Sequence, residues 1–156
     1  MKSNTSMIRP IDWQDLAVQM STPFHVEEIR TLSLENHLAL ATMRSGRGKP
    51  EHLNQLAQIV YLAFFLRNIT WPNDNEAVEQ CRRAEAAISA CAERVKRGGR
   101  RLLLDQEVAL VENILVLHDE QLAAITRRQY LAAWEQLQPH IAANQCSPIE
   151  IGLCYQ

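Results

Sequence analysis

The chain has 156 residues, 47% of them apolar and 22% charged, with a formal net charge of -2. This is the profile of one globular domain with a sizeable core, and it excludes a disordered chain or one that binds polyanions along its whole length. Glycine and proline total only 11 residues while Ala (18) and Leu (19) dominate, so the expectation is few turns and long helices: an all-α fold, a helical bundle of four to five long helices plus a short N-terminal one.

Residues 1–21 read as an N-terminal extension with a short helix over Ile11–Met20, carrying Trp13, Leu16, Ala17 and Met20 on one face. Thr22 at an N-cap with Pro23 at the first helical position then predicts a helix from there to Arg44. Its inner face is Ile29, Leu32, Asn36, Ala39 and Met43, widened by Leu34, Leu38 and Ala41. Gly46 and Gly48 stop it, and Pro50 with Glu51 starts the next. The segment Glu51–Asn68 is apolar on nearly every side, through Leu53, Leu56, Ile59, Val60, Leu62, Phe64, Phe65 and Leu66. Such a helix must be surrounded by others. Its longest apolar run, Leu56–Leu66, is far shorter than the ~20 residues a bilayer span needs.

Trp71-Pro72-Asn73-Asp74 breaks that helix, and Asp74 or Asn75 caps the following one, which runs to Arg97. There Ala77, Cys81, Ala84, Ile88, Cys91 and Val95 alternate four and three apart, a seam of small residues suited to close helix packing. This seam must be covered by the chain's own helices or by a second copy. Asp105 is expected to cap the next helix, with Val108, Val111, Leu115, His118, Leu122 and Ile125 inward. Thr126-Arg127-Arg128-Gln129 has the form of a capping box. It opens a last helix with Tyr130, Trp134, Leu137 and Ile141 inward and Pro139 kinking or ending it. Residues 145–156 read as an extended tail. No repeat or linker divides the chain, so residues 1–156 form a single domain.

Leu34-Glu35-Asn36-His37-Leu38-Ala39-Leu40, then Arg44-x-Gly46-Arg47-Gly48, and later Leu117-His118-Asp119, resemble a family of small proteobacterial helical proteins. Some members carry a label as regulators similar to the Fis family of DNA-binding proteins. That resemblance implies a C-terminal helix-turn-helix with a compact basic recognition helix. The chain departs from the pattern: residues 105–156 hold Arg127 and Arg128 against seven acids, and no Gly-containing short turn divides two short helices there.

Charge clusters elsewhere. Arg94, Lys96, Arg97, Arg100 and Arg101 place five cations in eight residues around Gly98-Gly99. This is the best surface candidate for holding phosphate or a partner, although cations at a helix C-terminus also offset the dipole. Arg44, Arg47 and Lys49 are weaker candidates. Arg47-Gly48-Lys49-Pro50 resembles a short minor-groove hook, but its Gly and Pro also serve simply to end one helix and begin another. His37 beside Glu35 and Asn36, and His118 beside Asp119 and Glu120, would give a group titrating near neutrality if antiparallel helices joined them. The alternative for each is a histidine hydrogen-bonded to a neighbouring helix.

No HExxH, ExxH, EF-hand, GxGxxG or GK[ST] occurs, so no metal site and no cofactor is expected. None of the four cysteines (81, 91, 146, 154) has CxxC spacing, and Cys81 and Cys91 lie ~15 Å apart along one helix. They are expected as reduced core residues. An N-terminus without a signal-like apolar core predicts a cytoplasmic protein. The leading functional expectation is a non-enzymatic helical interaction or regulatory protein that self-associates as a homodimer. The alternative is a nucleic-acid-associated regulator contacting phosphate through 94–101, and the third is an enzyme with an unrecognised site between helices.

Overall fold

In a computed structural model, which describes residues 12–142 and 147–149, the chain is all-helical. Six helices follow in order: α1 (Trp13–Ser21), α2 (Val26–Arg44), α3 (Pro50–Thr70), α4 (Asn75–Lys96), α5 (Asp105–Ala124) and α6 (Arg127–Ala142). Among the described residues there is no strand, only an isolated antiparallel bridge between Pro23 and Thr126. No described helix is long and apolar enough to cross a membrane. Residues 1–11, 143–146 and 150–156 lie outside the described residues, and with them all of the expected tail at 145–156 except residues 147–149.

The apolar α3 sits where its composition requires. It packs against α2, α4, α5 and α6, and Leu56, Leu62, Ala63 and Leu66 have no exposed surface at all. Ile59 and Val60 are also buried, whereas Phe64 and Phe65 reach only partly into the core. The small-residue seam of α4 is covered by the chain itself: Ala77, Cys81, Ala84, Ile88 and Cys91 are buried against α3 and α5. That seam is therefore not a dimer surface, and Val95, at its end, is half-buried. Along α5 and its C-cap Ile125, all six inward positions expected from Val108 to Ile125 are buried.

Several expected boundaries are displaced, each for a tertiary reason. The second helix does not begin at Pro23. It starts at Val26 after the uncapped His25, because Thr22–Phe24 is held to the start of α6. Arg127 donates to Thr22 Oγ1 (2.9 Å) and to Pro23 O (3.0 Å), and its guanidinium lies 5.4 Å from the Phe24 ring. The same side chain is bonded to Glu28. Asp105 does not cap α5; Leu104 occupies the cap, and Glu107 Oε2 accepts its N–H at 2.9 Å. Leu34, Leu38 and Ala41 do not widen the buried face of α2 but point outward. α6 continues through Pro139 to Ala142, with Ala133 and Leu137 buried and Ile141 exposed.

Other boundaries fall as the sequence indicates. Asp74 Oδ1 accepts the Ala77 N–H (3.1 Å), and Gly46 and Gly98 take positive φ (76° and 86°) at the ends of α2 and α4. The Thr126–Gln129 box forms in both directions, 2.9 and 3.3 Å.

Polar side chains tie the helices pairwise: Gln55 donates to Asn36 Oδ1 between α2 and α3 (2.9 Å), and Tyr61 to Glu85 between α3 and α4 (2.9 Å). Gln121 donates to the Ala63 carbonyl between α5 and α3 (2.9 Å).

Candidate functional site

Two sets of chemistry-bearing residues come together in the fold. The first is the pair of basic loops. The α2–α3 loop and the α4–α5 loop, some fifty residues apart in sequence, meet at one end of the molecule. The Leu103 N–H donates to the Met43 carbonyl (3.3 Å), and Arg101 Nη1 reaches the Gly48 carbonyl at 3.4 Å. The Arg100 guanidinium lies so close over Gly46 that a Cβ there would stand 2.7 Å from Nη2. A side chain at Gly48 would run into Met43 and the Arg101 carbonyl. The glycines therefore do more than stop a helix; they let the two loops touch. Arg44, Arg47 and Lys49 thereby share an end with Lys96, Arg97, Arg100 and Arg101, an association that no sequence spacing could reveal.

Arg94 is the exception. Its place in the basic run groups it with the phosphate-holding cations, yet its guanidinium is consumed inside the protein. Nη1 and Nη2 donate to the two Glu107 oxygens at 2.7 and 2.6 Å, and Nη2 also donates to the Leu102 carbonyl at 2.9 Å. Burial pulls the Glu107 carboxyl up, but the Arg94 bonds and the Leu104 N–H outweigh that and hold it below the usual carboxylate range. Arg94 is the strut that fixes the α4–α5 loop. Replacing Glu107 by Ala should cost about 3 kcal/mol, because a half-buried guanidinium and the first turn of α5 both lose their partner. Urea unfolding of the variant checks this, and a loss under about 1 kcal/mol would mean that the pair is an ordinary surface ion pair.

The second set lies between α2 and α5. His37 does meet the 118–120 region, but its partner is Asp119 and not His118. His37 Nε2 stands 3.2 Å from Asp119 Oδ2, and Ser33 Oγ donates to the same oxygen at 2.7 Å. The serine hydroxyl is thus turned to the carboxylate and not to the imidazole, so there is no relay that would deprotonate it. His118 points the other way, into the core, fully buried with its ring 6.1 Å from Tyr130. Neither of its ring nitrogens makes a hydrogen bond of ordinary geometry, although Gln121 on the same helix lies close enough to act on the ring. Burial pushes it down to about 4, against the opposing pull of the Asp119 charge and of Gln121. The expected group titrating near neutrality is therefore not His118, which is neutral at pH 7.

The described cysteines behave as core residues. Cys81 and Cys91 are free and buried; burial pushes the Cys81 thiol up to about 12 and raises Cys91 also. Cys146 and Cys154 fall outside the described residues. A thiol reagent at pH 8 should accordingly leave Cys81 and Cys91 unmodified in the native protein and label them in denaturant. Fast native labelling of either, read by peptide mass, would contradict their burial. Among the described residues no three His, Cys, Asp or Glu side chains are grouped to hold a metal.

At the C-terminal end, α5 of 20 residues and α6 of 16 are joined through Ile125 and Thr126 alone. Arg127 there is fully engaged with Thr22, Pro23 and Glu28, while Arg128 is exposed. No protein-family model, no curated protein and no solved structure matches the chain.

Proposed function

We propose that this chain is a non-enzymatic helical interaction or regulatory protein of the cytoplasm, a bundle gathered around α3 that pairs with a second copy of itself. The observation that carries the reading is the outward face of α2. Leu34 and Leu38, one turn apart, are 61% and 56% exposed, with Thr31 and Ala41 exposed along the same line. Two neighbouring leucines held outward on a regular helix, when the same chain buries its α4 seam from Ala77 to Cys91, are the kind of surface that soluble proteins cover on association. A two-fold axis running past α2 would place the leucines of one copy against those of the other. The Ser33–Asp119–His37 cluster supports a structural role beside this face: it clamps α2 to α5 and keeps the outer leucines in register.

Light scattering on the full chain tests the pairing. The parent is expected at twice 17.8 kDa at micromolar concentration, and the L34E/L38E variant at the single mass with unchanged helix content. A parent that scatters as a monomer would defeat the reading.

A further inference from the structure

We propose that the end of the molecule where the α2–α3 and α4–α5 loops meet is a binding site for the phosphate backbone of a nucleic-acid duplex, made jointly by residues 44–49 and 96–101. The proposal goes beyond pairing through α2 and does not depend on it. Three observations carry it.

The first is charge. Arg44 at the end of α2 and Arg47 and Lys49 after it form one group, and Lys96 at the end of α4 with Arg97, Arg100 and Arg101 the other. Against these seven stand Glu51; Glu93, bonded to Lys96 at 3.1 Å; and Asp105, 3.6 Å from Arg44. Arg47 and Arg97 are exposed and form no ion pair among the described residues. A surface on which cations outnumber acids so far draws polyanions.

The second is preorganisation. Gly46 and Gly48 let the loops touch, Arg101 is anchored on the Gly48 carbonyl, and Arg94 with Glu107 braces the second loop from inside. The cations are thus presented on a fixed frame, so less entropy is lost when they engage phosphate.

The third is the nature of the end. Five of the seven cations are arginines, whose planar fork matches phosphate oxygens in pairs. Of the large apolar side chains exposed among the described residues, only Leu104 belongs to these loops. Stable binding to an anionic membrane takes a second, apolar signal besides basic charge, and one half-exposed leucine does not supply it. Nor does a recognition helix present itself here to read base edges, so the binding is to the backbone and independent of sequence.

The test is fluorescence anisotropy of a mixed-sequence duplex of about 20 base pairs with the full chain, titrated at several salt concentrations from about 50 to 200 mM. The parent should bind at low salt with an affinity that falls steeply as salt rises. The R47E/R97E variant, whose side chains hold nothing together, should bind about tenfold more weakly or worse. It should also flatten the slope by about 0.9 log units per log unit of salt for each phosphate that is no longer neutralised. R128E, an exposed arginine on α6, should bind as the parent does, and circular dichroism should show all three chains equally helical. The proposal is overturned if the parent fails to bind the duplex at low salt, or if R47E/R97E binds with the parent's affinity and slope. It is equally overturned if vesicles containing phosphatidylserine bind and the duplex does not.

Discussion

Leu62→Ala is expected to cost about 2–5 kcal/mol, a substantial part of the ~5–15 kcal/mol by which an ordinary domain is stable. Leu62 is wholly enclosed on α3, the helix that touches α2, α4, α5 and α6. Four neighbouring helices cannot all close on the space left by the missing side chain, so the cavity term adds to the lost burial. Phe64 lies two residues away on the same helix yet is only partly buried; its ring is covered by the Arg67 guanidinium 4.8 Å above it and by Phe65 at 5.7 Å. Phe64→Ala should therefore cost less than Leu62→Ala although it deletes a larger side chain. Leu34→Ala, on the outer face of α2, should change the stability of the single chain by no more than about 0.5 kcal/mol. Urea midpoints at constant m-value give the ranking. If Phe64→Ala proved the most damaging of the three, α3 would not be the centre of the fold.

That ranking divides what the sequence makes legible from what it does not. An apolar helix in water has only one kind of place to go, so the position of α3 follows from composition alone. The three-four alternation in α4 and α5 likewise leaves one face each to bury, and it picks out the buried residues from Ala77 to Cys91 and from Val108 to Ile125, His118 among them. α2 is less legible because its apolar residues nearly encircle it. Periodicity does put Asn36 inward, where it accepts from Gln55, but it cannot say that Leu34 and Leu38 beside that face stay out.

Helix starts are legible where the capping side chain is local, as at Asp74 and at Thr126 with Gln129. They are hidden where a distant group decides. Pro23 is diverted by Arg127, about a hundred positions away, and the cap of α5 is set by Glu107, which Arg94 of α4 holds in place.

The basic cluster shows the same division. The run from Arg94 to Arg101 is visible in the sequence, but its two most consequential properties are tertiary: Arg94 is withdrawn into a pair with Glu107, and Arg44, Arg47 and Lys49 are brought in to replace it. Only the glycines hint at this, and Gly46 and Gly48 read equally well as simple helix stops. In the same way His37 and Asp119 meet because α2 and α5 pack side by side, a pairing that the sequence leaves open between His118 and its neighbours.

His118 gives the fold a pH dependence whose sign is fixed by its burial. In the unfolded chain its imidazole titrates near the ordinary ~6.5, whereas in the folded protein it is pushed down to about 4. Between those values the unfolded state binds a proton that the folded state refuses, so acidification favours unfolding. Above pH 6.5 both states are neutral there and His118 makes no pH-dependent contribution. Stability should fall as the pH drops from about 6.5 to about 4 and then level off for this group, by about 3 kcal/mol in total at the usual 1.36 kcal/mol per pKa unit. Asp119 on the same helix favours the charged ring, and Gln121 does so too, but neither offsets the burial. The Tyr130 ring of α6 offers no charge on its side. The Glu107 carboxyl acts in a different window: held below its usual range by Arg94, it contributes stability present above about 4.5 that is lost as the pH falls through its lowered folded value. The two contributions separate in a variant. His118→Leu keeps the volume and removes the titration, so urea unfolding from pH 7 to 4 should lose its slope above pH 4.5 and retain the steeper loss below. Only the slopes are compared, so any change in absolute stability from the substitution does not enter. Parallel curves for parent and variant across that range would mean that the ring can reach a proton acceptor or water when charged, and that the core around His118 is less closed than its neighbours imply.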